Sequence, residues 1–223
     1  MILRELGLQV AEIAALPIQE EKRNLWRGVN RLKPRRPMVA IDQICWNELN
    51  VDDELTLRCE NPALRAWEQQ LRQILYKWKH FPADGVVDDF FAVPKAINGG
   101  GYAFDLGVRV QEHTLETDAT NDVLSRAYVS QFSSMEDLEK IKMPVVSLNK
   151  EETNRRENLA REIFDGVLDV RMEGVQPYLS VWDTISHWMN VETTMMTLAD
   201  DPELMMAMVQ RLVKAFMLGL DQL

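Results

Sequence analysis

The sequence predicts an α/β protein in which helices connect the strands of a parallel sheet, and three observations support this fold class. Short apolar runs at 38–41, 85–94 and 167–174 have the composition of strands that are buried on both faces. Amphipathic helical patterns separate the three runs, as crossover connections between parallel strands require. With 223 residues, of which 46% are hydrophobic, the chain is long enough to bury a large core.

The first part of the chain predicts a helical extension over 1–35, followed by the first strand. An amphipathic pattern from 3 to 32 is broken near Pro17, so it predicts one helix or two. The apolar run at 38–41 predicts the first core strand. Another amphipathic helix is predicted over 61–81, because Asn61 is a favourable N-cap and Pro62 suits the first turn.

The middle of the chain predicts a β-hairpin or flap. Three glycines at 99–101 lead into a partly alternating pattern that extends to residue 115, and residues 127–132 are its predicted partner strand. A short helix is then predicted within 134–144, with Ser133 or Ser134 as its cap. A longer helix follows and ends at Gly166.

The last helix is predicted to begin at Asp200 or Asp201, with Pro202 in its first turn. Its apolar stripe consists of Leu204, Met205, Met208, Leu212, Val213, Phe216 and Leu220. Neither a C-cap residue nor a basic last turn closes this helix. We therefore expect the chain to be a fragment of a longer protein.

The charge and composition argue against several classes of function. Acidic residues outnumber basic ones 35 to 25, and the resulting net charge of −10 disfavours a nucleic-acid or anionic-membrane partner. No apolar run approaches the roughly 18 residues of a membrane helix, and the N-terminus does not resemble a signal peptide. Two cysteines, Cys45 and Cys59, are too few for a disulfide framework, which favours a reducing, cytoplasmic location.

Common catalytic and cofactor-binding motifs are missing from the sequence. The dinucleotide-binding pattern GxGxxG, the P-loop and the GxSxG elbow are all absent. The histidines His80, His113 and His187 show neither HExxH nor HxH spacing, and no cysteine is close to them in sequence. We therefore predict no metal site within this chain.

The candidate site residues are polar or aromatic side chains that lie in the strand-like runs or follow them. Ligands of α/β proteins bind at the carboxyl ends of parallel strands, where a carboxylate with a shifted pKa can act as a general acid or base. Roles as helix caps, loop residues, salt-bridge partners or core tryptophans are the alternatives. The catalytic candidates are Asp42, Asp89 and Glu173, and the substrate-binding candidates are Gln43, Trp46, Glu48, Tyr178, Trp182, Asp183 and His187.

Several stretches of this sequence resemble the uroporphyrinogen decarboxylase superfamily. RPMVAIDQICWNELNVDDELTLRC, LRQILYKWKHFPADGVVDDFFAVP, EDLEKIKMP, VWDTISHWMNVETTMMTLADDPELM and LGLDQL follow the order of elements in that family, and the similarity covers nearly the whole chain. The nearest resemblance is to the corrinoid-linked methyltransferase branch. It implies a (β/α)8 TIM barrel, of which residues 36–223 would form the N-terminal part, about three of eight units.

The resemblance also implies a chemistry and its cofactors. Methyltransferases of this branch act with a corrinoid protein and bind zinc through the C-terminal half of the barrel, so we expect no cofactor within this chain. The decarboxylases hold substrate carboxylates with arginines after the first strand, whereas this chain has Asp42 and Glu48 there, which would repel a porphyrinogen. Asp89 matches the aspartate of a DILVIP-like stretch in the decarboxylases.

Three functional hypotheses follow from the residues and the resemblance. The first is the N-terminal fragment of a barrel enzyme that transfers a methyl group between a small molecule and a corrinoid protein. The second is a lyase that decarboxylates a small acid or a porphyrinogen, with Asp89 or Glu173 as the group that handles the proton. The third is a non-catalytic module that is stable only as a homo-oligomer or with a partner.

Overall fold

The computed structural model describes residues 1–101, 103–114 and 125–223 as a mixed α/β protein. Its helices are α1 (Ile2–Ala14), α2 (Pro17–Asn30), α3 (Pro62–His80), α4 (Lys150–Phe164), α5 (Val181–Met189), α6 (Val191–Asp200) and α7 (Pro202–Leu220). Its strands are β1 (Phe90–Pro94), β2 (Ile97–Asn98), β3 (Glu112–Thr114), β4 (Arg126–Tyr128), β5 (Ser147–Leu148) and β6 (Asp169–Glu173). They pair as β1 with β6, β2 with β5 and β3 with β4, and the described residues contain no closed barrel.

The chain divides into two compact units. The first comprises 1–93 and 154–172, and the second comprises 94–153 and 173–223. The helical extension predicted for 1–35 lies within the first unit, where α1 packs against α3. None of the helices in the described ranges is both long and apolar enough to span a bilayer.

Local sequence signals correctly predicted where α2 and α3 begin. α2 begins at Pro17, which separates it from α1. The side chain of Asn61 accepts a hydrogen bond from the backbone N–H of Ala63 at 3.0 Å, and Pro62 is the first residue of α3. Both prolines occupy the turn in which a missing N–H costs least.

The strand predicted at 38–41 is wrong. These residues form no strand, and Val39, Ala40 and Ile41 are exposed. Their backbone contacts Asp84 instead: the Asp84 carboxylate accepts the N–H of Val39 at 2.9 Å, and the Asp84 N–H donates to the Val39 carbonyl at 2.9 Å. The same carboxylate pairs with Arg36 at 2.6 Å. A loop residue thus provides the hydrogen bonds that a neighbouring strand was expected to provide.

β1 and β6 form a parallel pair, and the chain between them contains β2 to β5 and then α4, which directly precedes β6. The N–H of Asp169 donates to the carbonyl of Asp89 (3.2 Å) at the start of both strands. The N–H of Lys95 donates to the carbonyl of Glu173 (2.8 Å) at their ends, so the strands run in the same direction. Phe164 of α4 is fully buried in the core that also contains β1 residues. The strand predictions at 85–94 and 167–174 are confirmed over Phe90–Pro94 and Asp169–Glu173, and the predicted helix before the second strand is present as α4.

The core of the first unit includes a buried ion pair on α3. Glu68 is fully buried, and its carboxylate contacts the Arg72 guanidinium at 2.8 Å. Burial opposes ionisation of this carboxyl group, but N–H bonds from Cys59 and Arg58 and the contact with Arg72 outweigh it and lower the pKa of Glu68 to about 2. The apolar side chains of this core include Leu3, Leu6, Val10, Trp67, Leu71, Phe91, Val93, Phe164 and Val170.

In the second unit, β3 and β4 form the predicted hairpin. They pair antiparallel, with Glu112 opposite Tyr128. The predicted hairpin segment also includes Tyr102 and Leu115, which lie outside the described residues. The cap predicted at Ser133 or Ser134 is wrong, because Met135 is the N-cap residue and no side-chain bond caps the turn. The backbone N–H groups of both serines donate to the Asp137 carboxylate. The helix that follows them is a short 3₁₀ turn, Glu136–Lys140.

The start of α7 and most of its buried stripe agree with the prediction. The Asp201 side chain accepts the N–H of Leu204 at 3.0 Å. Five residues of the predicted stripe are buried, whereas Val213 and Leu220 are exposed and were wrongly assigned to it. After α7, the Gln222 side chain accepts the Val146 N–H at 2.8 Å and donates to the Pro144 carbonyl at 3.1 Å. The buried stripe consists of Leu204, Met205, Met208, Leu212 and Phe216.

Candidate functional site

The predicted site residues fall into different units of the chain. The first unit contains Asp42, Gln43, Trp46, Glu48 and Asp89, and the second contains Glu173, Tyr178, Trp182, Asp183 and His187. In the first unit they are spread over a loop, a 3₁₀ turn and the start of β1. In the second unit, four of the five lie close together in sequence, just before α5 or within it.

Asp42 lines a cavity of about 240 Å³ in the first unit, together with Lys22, Lys77, Trp78 and Phe81. Lys22 is already engaged, since its ammonium group donates to backbone carbonyls at 2.9 and 3.1 Å and lies 5.0 Å from the centre of the Trp78 ring. Asp42 is exposed. Because 38–41 is not a strand, the prediction that Asp42 follows a strand is wrong, although the residue does border a cavity.

Trp46 packs against α3. It begins a 3₁₀ turn, Trp46–Glu48, and its ring meets the Tyr76 ring edge to face, with 6.0 Å between centroids. The ammonium group of Lys77 lies 5.8 Å from the Trp46 ring centre. Gln43 and Glu48 are both exposed. These contacts hold the 3₁₀ turn on the helix without bringing the three predicted side chains together.

Asp89 and Glu173 are exposed residues at strand termini. Asp89 immediately precedes β1, so it lies at the amino end of that strand and not at the carboxyl end, where α/β proteins bind ligands. Glu173 is the last residue of β6 and does occupy the carboxyl end of its strand. For Glu173 the strand position agrees with the prediction, and its catalytic role stays a prediction.

Several polar contacts lie just before α5 and within it, and we call Tyr178, Ser180, Trp182, Asp183 and His187 the α5 cluster. Ser180 caps the helix, its hydroxyl accepting the backbone N–H of Asp183 at 3.3 Å. The Tyr178 hydroxyl donates to Oδ2 of Asp183 at 2.7 Å. The hydrogen bond from the Tyr178 hydroxyl, followed by an interaction of the Ser180 side chain with the carboxyl group, holds the pKa of Asp183 below its ordinary value.

His187 lies one helical turn after Asp183 and contacts the hairpin. Its ring is 4.6 Å from that of Tyr128 between centroids, with the planes tilted by 44°. When protonated, His187 also favours the charged form of Asp183. Trp182, one residue before Asp183, is half-exposed at 51%. The α5 cluster thus combines an ionised carboxylate, a phenol, an imidazole and an accessible indole.

A cavity of about 280 Å³ lies between α5 and α6 and is bordered by two residues of the α5 cluster. Its wall contains one carboxylate, two hydroxyl groups, one aromatic ring and three apolar side chains. They belong to Trp182, Asp183, Ser186, Val191, Thr194, Met195 and Leu198. An accessible ring and a carboxylate therefore border the same small volume.

No group of three or more His, Cys, Asp and Glu side chains within the described ranges is arranged to hold a metal ion. Cys45 is exposed and Cys59 is partly buried, and both are free thiols. The zinc and the corrinoid protein that the resemblance implies belong to the complete enzyme, and both stay predictions.

Sequence reasoning missed Ser180, Lys77 and Met195. A signal for Ser180 was present, because Ser180 and Asp183 have the S-x-x-D spacing of a helix N-terminus. Lys77 and Met195 carry no such signal. They border the cavities because of tertiary packing that no local pattern records.

No family model, curated protein or solved structure matches this chain.

Proposed function

We propose that this chain is the N-terminal part of a (β/α)8-barrel enzyme, similar to uroporphyrinogen decarboxylases, that transfers a methyl group between a small molecule and a corrinoid protein. The observation that carries the proposal is the parallel pair of β1 and β6, with α4 directly before β6 and the α5 cluster after it. Repeated β–α–β connections build a TIM barrel, and the residues that follow the carboxyl ends of its strands form the active site. The α5 cluster lies on the segment that follows β6.

In this proposal, the residues of the α5 cluster bind and orient the substrate. The Asp183 carboxylate supplies a fixed negative charge, which the Tyr178 hydroxyl positions through its 2.7 Å bond. Trp182 forms one wall of the α5–α6 cavity. A corrinoid would supply the methyl-carrying centre when bound. Glu173, which lies in the same unit as the α5 cluster, is a further predicted substrate contact.

A methyl-transfer assay on the full-length protein that contains this chain tests the proposal. Reduced cobalamin and a panel of methylated amines, ethers and thiols would be supplied, and formation of methylcobalamin would be followed by absorption. We expect Asp183→Asn to lower kcat/KM about 10²-fold or more, because it removes the charge and preserves the size of the side chain.

Glu192→Gln is the matched control, because Glu192 is an exposed carboxylate in the first turn of α6 that does not border the cavity. It should leave turnover nearly unchanged. Equal turnover of the Asp183→Asn variant and the parent would contradict the assignment of the α5 cluster to the active site. No methyl transfer from any donor would contradict the reaction.

Decarboxylation of a small acid is the second candidate, and the Asp42 cavity favours it. This cavity of about 240 Å³ combines the Lys77 ammonium group, which can pair with a substrate carboxylate, with aromatic walls from Trp78 and Phe81. Release of CO2 from a panel of small aromatic and aliphatic acids would test it. We expect Lys77→Met to raise KM, whereas Lys79→Met, on the exposed end of α3, should not.

A further inference from the structure

The cavity between α5 and α6 lies in a part of the chain that contains no basic side chain except His187. Residues 172–210 include neither Lys nor Arg but contain six acidic residues. One of them, Asp183, borders the cavity, and the other five do not. Among the described residues, no Lys or Arg forms an ion pair with Asp183. The residues that border the cavity therefore include one carboxylate and neither Lys nor Arg.

The remaining wall suits the apolar substituents of a cation. Trp182 is 51% exposed and Met195 is 64% exposed, so an aromatic ring and a thioether are both accessible. The electron-rich face of an indole ring attracts a cation within about 6 Å of its centroid. A carboxylate next to that ring adds charge attraction, while Val191 and Leu198 supply surface for alkyl groups.

We propose that the α5–α6 cavity binds an organic ammonium cation with alkyl substituents. The inference rests on the proposed function and names the substrate class for that site. An inorganic cation would not use the apolar wall, and a neutral apolar molecule would not use Asp183. A carboxylate or phosphate ligand would be repelled by a cavity that has one carboxylate and no basic partner.

Choline and its neutral carbon isostere, 3,3-dimethylbutan-1-ol, are the two probes, because they have nearly the same shape and differ in charge. Titrations of the unaltered chain by ligand-observed NMR should show choline binding at least about fivefold more tightly. The preference should disappear in Asp183→Asn and weaken in Trp182→Leu, and Glu192→Gln should retain it. Thermal melts establish that each variant is folded.

Equal affinity of the two probes for the unaltered chain would overturn the proposal, and this comparison does not depend on any variant being folded. A folded Asp183→Asn variant that keeps the preference would also overturn it. Co-sedimentation with phosphatidylcholine vesicles distinguishes a lipid headgroup from a free cation as the source of the ammonium group. A charge preference without methyl transfer would refute the proposed function alone, and methyl transfer without a charge preference would refute the substrate class alone.

Discussion

Replacing Glu68 by Gln tests whether the buried ion pair of α3 stabilises the first unit. The Glu68 carboxylate accepts N–H bonds from Arg58 and Cys59 at 2.8 and 2.7 Å and pairs with Arg72. Glutamine preserves the size but leaves the Arg72 guanidinium, which is only 10% exposed, without its counter-charge. Breaking a buried pair in this way costs about 3–5 kcal/mol. We expect a loss of about 3 kcal/mol in the free energy of unfolding at pH 7.

The loss of unfolding free energy should be smaller at low pH, because folding lowers the pKa of Glu68. Lowering this pKa from 4.5 to about 2 corresponds to about 3 kcal/mol. Because the folded-state pKa is the lower one, the contribution is fully present above about pH 4.5 and is lost as the pH falls towards 2. Glutamine cannot be protonated in this range. The difference between parent and variant should therefore narrow to about 1 kcal/mol at pH 3.

Urea unfolding followed by tryptophan fluorescence at pH 7 and pH 3 measures both effects. Glu157→Gln is the matched control, because Glu157 forms an i,i+4 pair with Arg161 at the same 2.8 Å but in a more exposed position. Its replacement should cost less than about 1 kcal/mol. A loss of unfolding free energy for Glu68→Gln that is no larger than that for Glu157→Gln at pH 7 would contradict the stabilising role of the ion pair. A loss that is the same at pH 3 as at pH 7 would also contradict it.

Three further predictions concern packing, thiol chemistry and association. Gly219→Ala should cost about 1–3 kcal/mol in urea unfolding, because a Cβ there would overlap the Phe104 ring, and an unchanged midpoint would contradict this packing. Cys45 should react with a disulfide reagent at pH 8 several-fold faster than Cys59, because burial and the neighbouring Glu68 raise the pKa of the Cys59 thiol. Equal reaction rates of the two thiols would contradict this prediction. The exposed apolar side chains of α6, such as Met195, should make the chain self-associate or bind ANS. Light scattering from a monodisperse monomer without dye binding would contradict the last prediction.

Helix termini could be predicted from the sequence because their signals are local. Asn61 with Pro62 and Asp201 with Pro202 place a cap and a proline in adjacent positions, and both pairs begin helices in the structure. No comparable local signal shows that residues 38–41 do not form a strand. The backbone of Val39 in this segment bonds to Asp84, about 45 residues away. The apolar composition of the segment does not indicate which residue will bond to its backbone groups.

The candidate site was predictable where its residues are neighbours in sequence. Tyr178, Trp182, Asp183 and His187 lie close together in the sequence after β6, so a list of polar and aromatic residues there contained them all. The bond from Tyr178 to Asp183 depends on the path of the chain before α5 and has no sequence signature. Met195 borders the α5–α6 cavity only because α6 packs against α5.

The absence of Lys and Arg around the α5–α6 cavity has a practical consequence for chemical labelling. Trypsin cleaves after these two residue types, so the whole α5 cluster and the wall of the cavity are released in one peptide, 172–211. Asp42 is released in a different peptide, 36–58, because the bond before Pro37 resists cleavage. A reactive ligand analogue that labels the protein can therefore be assigned to one cavity or the other from the mass of a single digest.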